Sequence, residues 1–147
     1  HNADPRLVPP RYEPVYLGLA YADREEMKRI IDLRVDRMVA QGLFDEVRAL
    51  VESGVPRTAT AMQAIGYKEF LGVLDGTLTE QEALELVKLR SRQYAKRQLT
   101  WFRREKDGIW LNKPDFDYDE EKILSYMLDR WNEIVSADAK EEGEQSC

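Results

Sequence analysis

Thr79-Glu80-Gln81-Glu82-Ala83-Leu84-Glu85-Leu86-Val87-Lys88-Leu89-Arg90-Ser91-Arg92-Gln93-Tyr94-Ala95-Lys96-Arg97-Gln98-Leu99-Thr100-Trp101-Phe102-Arg103-Arg104 is the stretch on which the fold turns. Thr79 and Glu82 stand in capping-box spacing, so a helix is expected to open there and carry everything that follows. On a helical wheel Leu84, Val87, Tyr94, Ala95 and Phe102 share one face, which is expected to pack inward. Arg90, Arg97 and Arg104 make a stripe of seven-residue spacing on one flank of that face. Arg92, Lys96 and Arg103 make a second stripe on the other.

Working outward, Lys88 to Lys106 holds Lys88, Arg90, Arg92, Lys96, Arg97, Arg103, Arg104 and Lys106 against the single acid Glu105. The whole chain carries a formal net charge of -6, so this is a basic island on an acidic protein. After Asp115 the balance reverses, and whole-chain charge hides two different electrostatic regions. Two rows of cations beside an apolar seam can hold successive phosphates and stack on bases. A solvated helix face has the same composition. Acidic partners at i,i+4 are missing from the island, which favours the polyanion, because a purely structural charged helix usually interleaves signs.

The rest of the chain reads as mostly α with one or two short strands. Residues 1–14 are rich in proline and charge and are expected to be an extended lead-in. Val15-Tyr16-Leu17-Gly18-Leu19 and Gly108-Ile109-Trp110-Leu111 are the strand candidates. Asp23 caps a helix expected to reach Gln41, with Gly42 as its stop. A second helix runs from Leu43 to about Ser53. Ala61 to Leu74 reads as helical in part, interrupted at Gly66, and another helix is expected from Asp119 to Val135. Residues 136–147 are acidic and small and are expected to be a disordered tail. Trp101 and Trp110 are expected in the core.

Composition bounds the chemistry. No apolar run approaches the roughly 20 residues that span a bilayer, and no signal peptide is visible, so no membrane partner and a cytoplasmic setting are expected. His1 and Cys147 are the only residues of their types, too few for a Cys/His zinc site. Neither a G-x-x-x-x-G-K-[ST] phosphate loop nor a G-x-S-x-G motif occurs, and no catalytic residue can be named. Thr60-Ala61-Met62-Gln63-Ala64-Ile65-Gly66-Tyr67-Lys68 sets small and polar residues at a loop–helix junction, where free backbone N–H groups suit an anion or a base. A tight packing corner would look the same. Arg34, taken alone, reads as a surface arginine.

Four ordered blocks carry a resemblance. Arg34-Val35-Asp36-x-Met38, Gly42-Leu43-x-x-Glu46-Val47, Ala61 to Glu69 and Tyr94-Ala95-Lys96-Arg97-Gln98-Leu99-Thr100-Trp101-Phe102-Arg103 together closely resemble the C-terminal portion of the bacterial tRNA dimethylallyltransferase family, over about Val15 to Asn112. The resemblance implies transfer of a dimethylallyl group from its diphosphate to N6 of the adenosine 3′ of certain tRNA anticodons. It also implies a P-loop-like α/β core, a helical insertion, and an intact enzyme that is monomeric and uses Mg2+. The phosphate loop, catalytic aspartate, metal ligands and insertion belong N-terminal to the matching stretch. The chain is therefore expected to be a C-terminal fragment, inactive alone, whose partners are the tRNA anticodon stem-loop and dimethylallyl diphosphate.

By the same resemblance Arg34 binds the donor diphosphate, a task that suits a planar, permanently charged fork. Thr58, Thr60, Ala61, Met62 and Gln63 form one tRNA-contacting segment, and Arg90, Arg92, Gln93 and Lys96 belong to another, with Arg97 as a further phosphate contact. A stand-alone RNA-binding module without catalysis is the main alternative, and a relative that prenylates free adenine nucleotides is a second.

Overall fold

A computed structural model describes residues 15–21, 23–104 and 108–144. They form two compact units, residues 23–104 and residues 15–21 with 108–144. The expected lead-in at 1–14 lies outside the described residues.

Residues 23–104 are helical. α1 (Arg24–Ala40) starts where the Asp23 carboxylate accepts the Glu25 N–H at 2.9 Å, satisfying one of the donors a helix start leaves open. Gly42, at φ +100°, turns the chain into α2 (Leu43–Glu52). Met62 sits in a 3₁₀ turn (Thr60–Gln63), after which Gly66 at φ +104° redirects the backbone into α3 (Tyr67–Leu74). That conformation costs an L-residue with a Cβ but not glycine, which explains the interruption read at this position. α4 (Glu80–Phe102) opens with the expected reciprocal box. Thr79 Oγ1 accepts the Glu82 N–H at 3.2 Å, and Glu82 Oε2 accepts the Thr79 N–H at 2.8 Å. The Thr79 N–H and hydroxyl, both donating to Glu82 Oε2, hold the Glu82 carboxyl below its ordinary range.

Val35, Leu43, Val47, Met62, Phe70, Leu71, Ala83 and Val87 make the core of this unit. Phe44 and Phe70 meet with ring centroids 5.3 Å apart. Asp36 binds Lys88 and Asp32 binds Arg92, so the residue number rises on α1 as it falls on α4. The two helices are therefore antiparallel.

In the other unit, β1 (Leu17–Ala20) and β2 (Ile109–Asn112) pair in parallel, with Leu17 opposite Ile109 and Ala20 opposite Asn112. Gly18 lies beneath the Trp110 indole, where a Cβ would come within 2.7 Å of the ring. A 3₁₀ turn (Lys113–Phe116) leads to α5 (Glu120–Glu144), whose first amides, of Glu121 and Lys122, donate to Asp119 Oδ1. Leu111 and Ile123 are its buried apolar residues.

Three expectations are corrected. α5 runs to Glu144, past the end expected at Val135; Ala137, Ala139, Lys140, Glu141 and Glu142 are good helix formers. Residues 145–147 lie outside the described residues. Tyr94 and Phe102 share the wheel face of Val87 but are exposed. Trp101 and Trp110 are not core either, being 58% and 36% exposed. No described helix is long and apolar enough to cross a membrane.

Candidate nucleic-acid interface

The expected site residues with described positions all lie in residues 23–104, and α4 sorts its cations into two groups. Its 23 residues make a rod of about 34 Å. The first half packs on α1 and α3 through Ala83 and Val87. From Gln93 onward only Ala95 and Leu99 are partly shielded. The wheel gives a direction, but the neighbours that would cover Tyr94 and Phe102 do not reach that far within this unit.

In the packed half, each cation answers an acid from another helix. Lys88 Nζ lies 2.7 Å from Asp36 and 3.4 Å from Glu85, and hydrogen bonding to Asp36 holds its ammonium above the ordinary lysine value. Arg92 Nη1 sits 2.6 Å from both oxygens of Asp32. Arg90 binds the carboxylate of Glu69, which is 2% exposed. The acids that looked absent at i,i+4 are supplied by α1 and α3. Arg90 and Arg92, as they stand, bridge helices.

The projecting half differs. Lys96, Arg97, Arg103 and Arg104 have no ion-pair partner among the described residues. Arg97 lies over the Tyr94 ring, 5.7 Å from its centroid, and Trp101 meets Phe102 edge-on at 5.0 Å. Gln93, Lys96, Arg97, Thr100, Trp101 and Arg104 line an open groove of about 450 Å³. Unneutralised cations, amide and hydroxyl groups beside an exposed indole are the ingredients of a sequence-tolerant grip on a nucleic-acid strand. Arg104 was read as part of a phosphate-holding stripe, whereas Thr100 and Trp101 were not among the expected site residues. Their signal was the length of α4 beyond its last buried position, which a wheel does not display.

The loop segment is held from within. Thr58, Thr60, Ala61 and Gln63 are exposed, and the Gln63 side-chain amide donates to the Arg57 carbonyl at 3.1 Å. Met62 is fully buried, so its side chain belongs to the core. Glu69, which sequence reading passed over, accepts the Gly66 N–H at 2.8 Å with one oxygen and Arg90 with the other. Arg34 stands apart. It is exposed, without an ion-pair partner among the described residues, and about 200° round α1 from Asp32 and Asp36. The structure does not bring it to the face that meets α4. Among the described residues no group of three or more His, Cys, Asp or Glu side chains converges to hold a metal, so no step through Mg2+ is assigned to this chain.

The sequence matches the family model described as IPP transferase over residues 1–105. The chain belongs to the IPP transferase family. Similar relatives include the tRNA dimethylallyltransferase of Acetivibrio thermocellus, 44% identical over 130 residues, covering 87% of this chain and 41% of the relative. That of Geobacter metallireducens is 45% identical over 124 residues, covering 84% and 38%. Among solved structures, the tRNA delta(2)-isopentenylpyrophosphate transferase of Staphylococcus epidermidis superposes with a TM-score of 0.77 at 40% identity, covering 84% of this chain and 39% of that one. The chain thus spans about two fifths of the length of these IPP transferase relatives.

Proposed function

We propose that this chain is the RNA-gripping portion of a tRNA dimethylallyltransferase, which transfers a dimethylallyl group from its diphosphate to N6 of the adenosine 3′ of the anticodon. The observation that carries the reading is the projecting half of α4, where Lys96, Arg97 and Arg104 lack acidic partners among the described residues, beside exposed Trp101. Family membership and the names of the relatives support the substrate class.

In this reading Lys96, Arg97 and Arg104 bind phosphates of the anticodon stem-loop, with Gln93 alongside. Thr58, Thr60, Ala61 and Gln63 supply a second contact, and Met62 takes part through its backbone alone. Arg90 and Arg92 act by fixing α4, and offer RNA only the N–H groups that Glu69 and Asp32 leave free. Arg34, on the other side of α1, faces the donor diphosphate. As the donor's C–O bond breaks and the N6–C bond forms, charge grows on the leaving diphosphate, and a guanidinium stabilises it. The N6 proton passes to a base that this chain does not supply. The target base has to leave its stack to meet the donor, so the backbone must be clamped on both sides of it. The protein works as a monomer in the cytoplasm, where its tRNA substrate is.

The test joins this chain to the preceding portion of a relative and follows labelled dimethylallyl transfer to an anticodon stem-loop. Transfer is expected from the joined protein, and Arg34→Ala should abolish most of it. The isolated chain should give none. Transfer by the isolated chain, or RNA binding with no restored transfer, would overturn the reading, the latter in favour of a non-catalytic binding module.

A further inference from the structure

Glu69 is the buried charged residue of the described chain, and nothing in the transfer chemistry uses it. Burying a carboxylate costs free energy unless its oxygens are fully engaged. Here both are. Oε2 accepts the Gly66 N–H at 2.8 Å and Oε1 accepts Arg90. Gly66 is the φ +104° residue at which the chain from the Thr60–Gln63 turn enters α3, and Arg90 lies two residues before Arg92, which bridges α4 to Asp32. One side chain thus joins the exit of the loop segment to the middle of the long helix.

We propose that Glu69 is a positioning residue for RNA binding, setting the Thr58–Gln63 segment in register with the projecting half of α4. The inference rests on the reading of those two segments as the RNA grip. Without the Glu69 bridge each segment would still fold, but their spacing would fluctuate. A strand clamped at two points is sensitive to that spacing.

Positioning and electrostatics make opposite forecasts for one substitution. Glu69→Gln keeps the length of the side chain and an oxygen for Gly66, removes a negative charge near the proposed RNA face, and releases Arg90. By charge alone, RNA should bind more tightly and with a steeper salt dependence. By positioning, it should bind more weakly.

The experiment measures affinity of the 147-residue chain for an anticodon stem-loop RNA by fluorescence anisotropy over a salt series, with hydrogen exchange of the amides from Thr60 to Lys68. Glu69→Gln is expected to weaken binding roughly fivefold to tenfold, as for loss of one charge-assisted hydrogen bond. The salt slope should not steepen, and exchange at Gly66–Lys68 should quicken. Glu85→Gln, which removes an exposed acid from α4, is the charge control and should not weaken binding. Arg90→Met removes the other half of the bridge from its exposed side and should reproduce the loss if Glu69→Gln folds poorly, while Arg90→Lys should restore part of it. Unchanged or tighter binding by both Glu69→Gln and Arg90→Met overturns the positioning role. Absence of binding by the unmodified chain instead overturns the RNA reading on which it stands.

Discussion

Replacing Lys96, Arg97 and Arg104 together by alanine tests the division of α4 most sharply. Each is a cation without an acidic partner among the described residues, so each can release a counterion on meeting a phosphate. A phosphate contact changes the slope of log K against log[salt] by roughly 0.7 for a single strand and 0.9 for a duplex. Three contacts on a stem-loop therefore sum to roughly 2 to 2.7 units. Between 50 and 200 mM salt the unmodified chain should lose roughly 20- to 40-fold more affinity than the triple variant. Arg92→Met is the contrast, because its guanidinium is already met by Asp32 at 2.6 Å. That change should lower thermal stability by leaving a half-buried carboxylate unpaired, and should shift the salt slope by much less than one unit. Anisotropy titrations at four or five salt concentrations suffice. An unchanged slope in the triple variant, or a larger change in Arg92→Met, would refute the argument that ion pairing separates the gripping cations from the bridging ones.

Other consequences follow from the packing. Phe70→Ala, at a position 1% exposed and stacked near Phe44, should cost about 3–5 kcal/mol in denaturant unfolding, and a loss under 1 kcal/mol would mean the core closes differently. Thr79→Ala should cost about 1 kcal/mol by opening the capping box, with no effect on RNA affinity beyond that of stability. Tyr67 donates its phenolic hydrogen to Glu46, and that bond raises its pKa above the ordinary value. The sign follows from linkage: the contribution is fully present below the unfolded tyrosine value of about 10 and is lost as pH rises through the folded one. Tyr67→Phe should therefore lose stability relative to the unmodified chain at neutral pH, and the gap should narrow in strongly alkaline solution. A gap independent of pH would assign the effect to packing.

The parts of the fold legible in sequence were those written locally. Asp23, Gly42 and the Thr79–Glu82 box mark helix ends because the side chain or φ angle that ends a helix acts within a few residues. Gly66 was legible as an interruption for the same reason. What sequence concealed was distance. Arg92 finds Asp32 across 60 positions and Arg90 finds Glu69 across 21, so a helix that looked unpaired at i,i+4 proved paired over half its length. Met62 sat in a polar-looking junction yet fills the core, because a 3₁₀ turn directs it inward while its neighbours face water. Tyr94 and Phe102 shared a wheel face with Val87, but periodicity cannot say where a neighbouring helix stops. The end of α5 was set too early because composition was weighed above the helix propensity of the alanines and charged residues that follow Val135.

Cross-linking with mass-spectrometric mapping would address the central claim directly. The chain is irradiated in complex with an anticodon stem-loop RNA, and the attached residues are read from the peptides. Attachment is expected along the projecting half of α4, at Gln93, Lys96, Arg97, Trp101 and Arg104, with a second cluster at Thr58–Gln63. Attachment concentrated instead on the outer face of α2, around Arg48, or on α5, with none between Gln93 and Arg104, would contradict it.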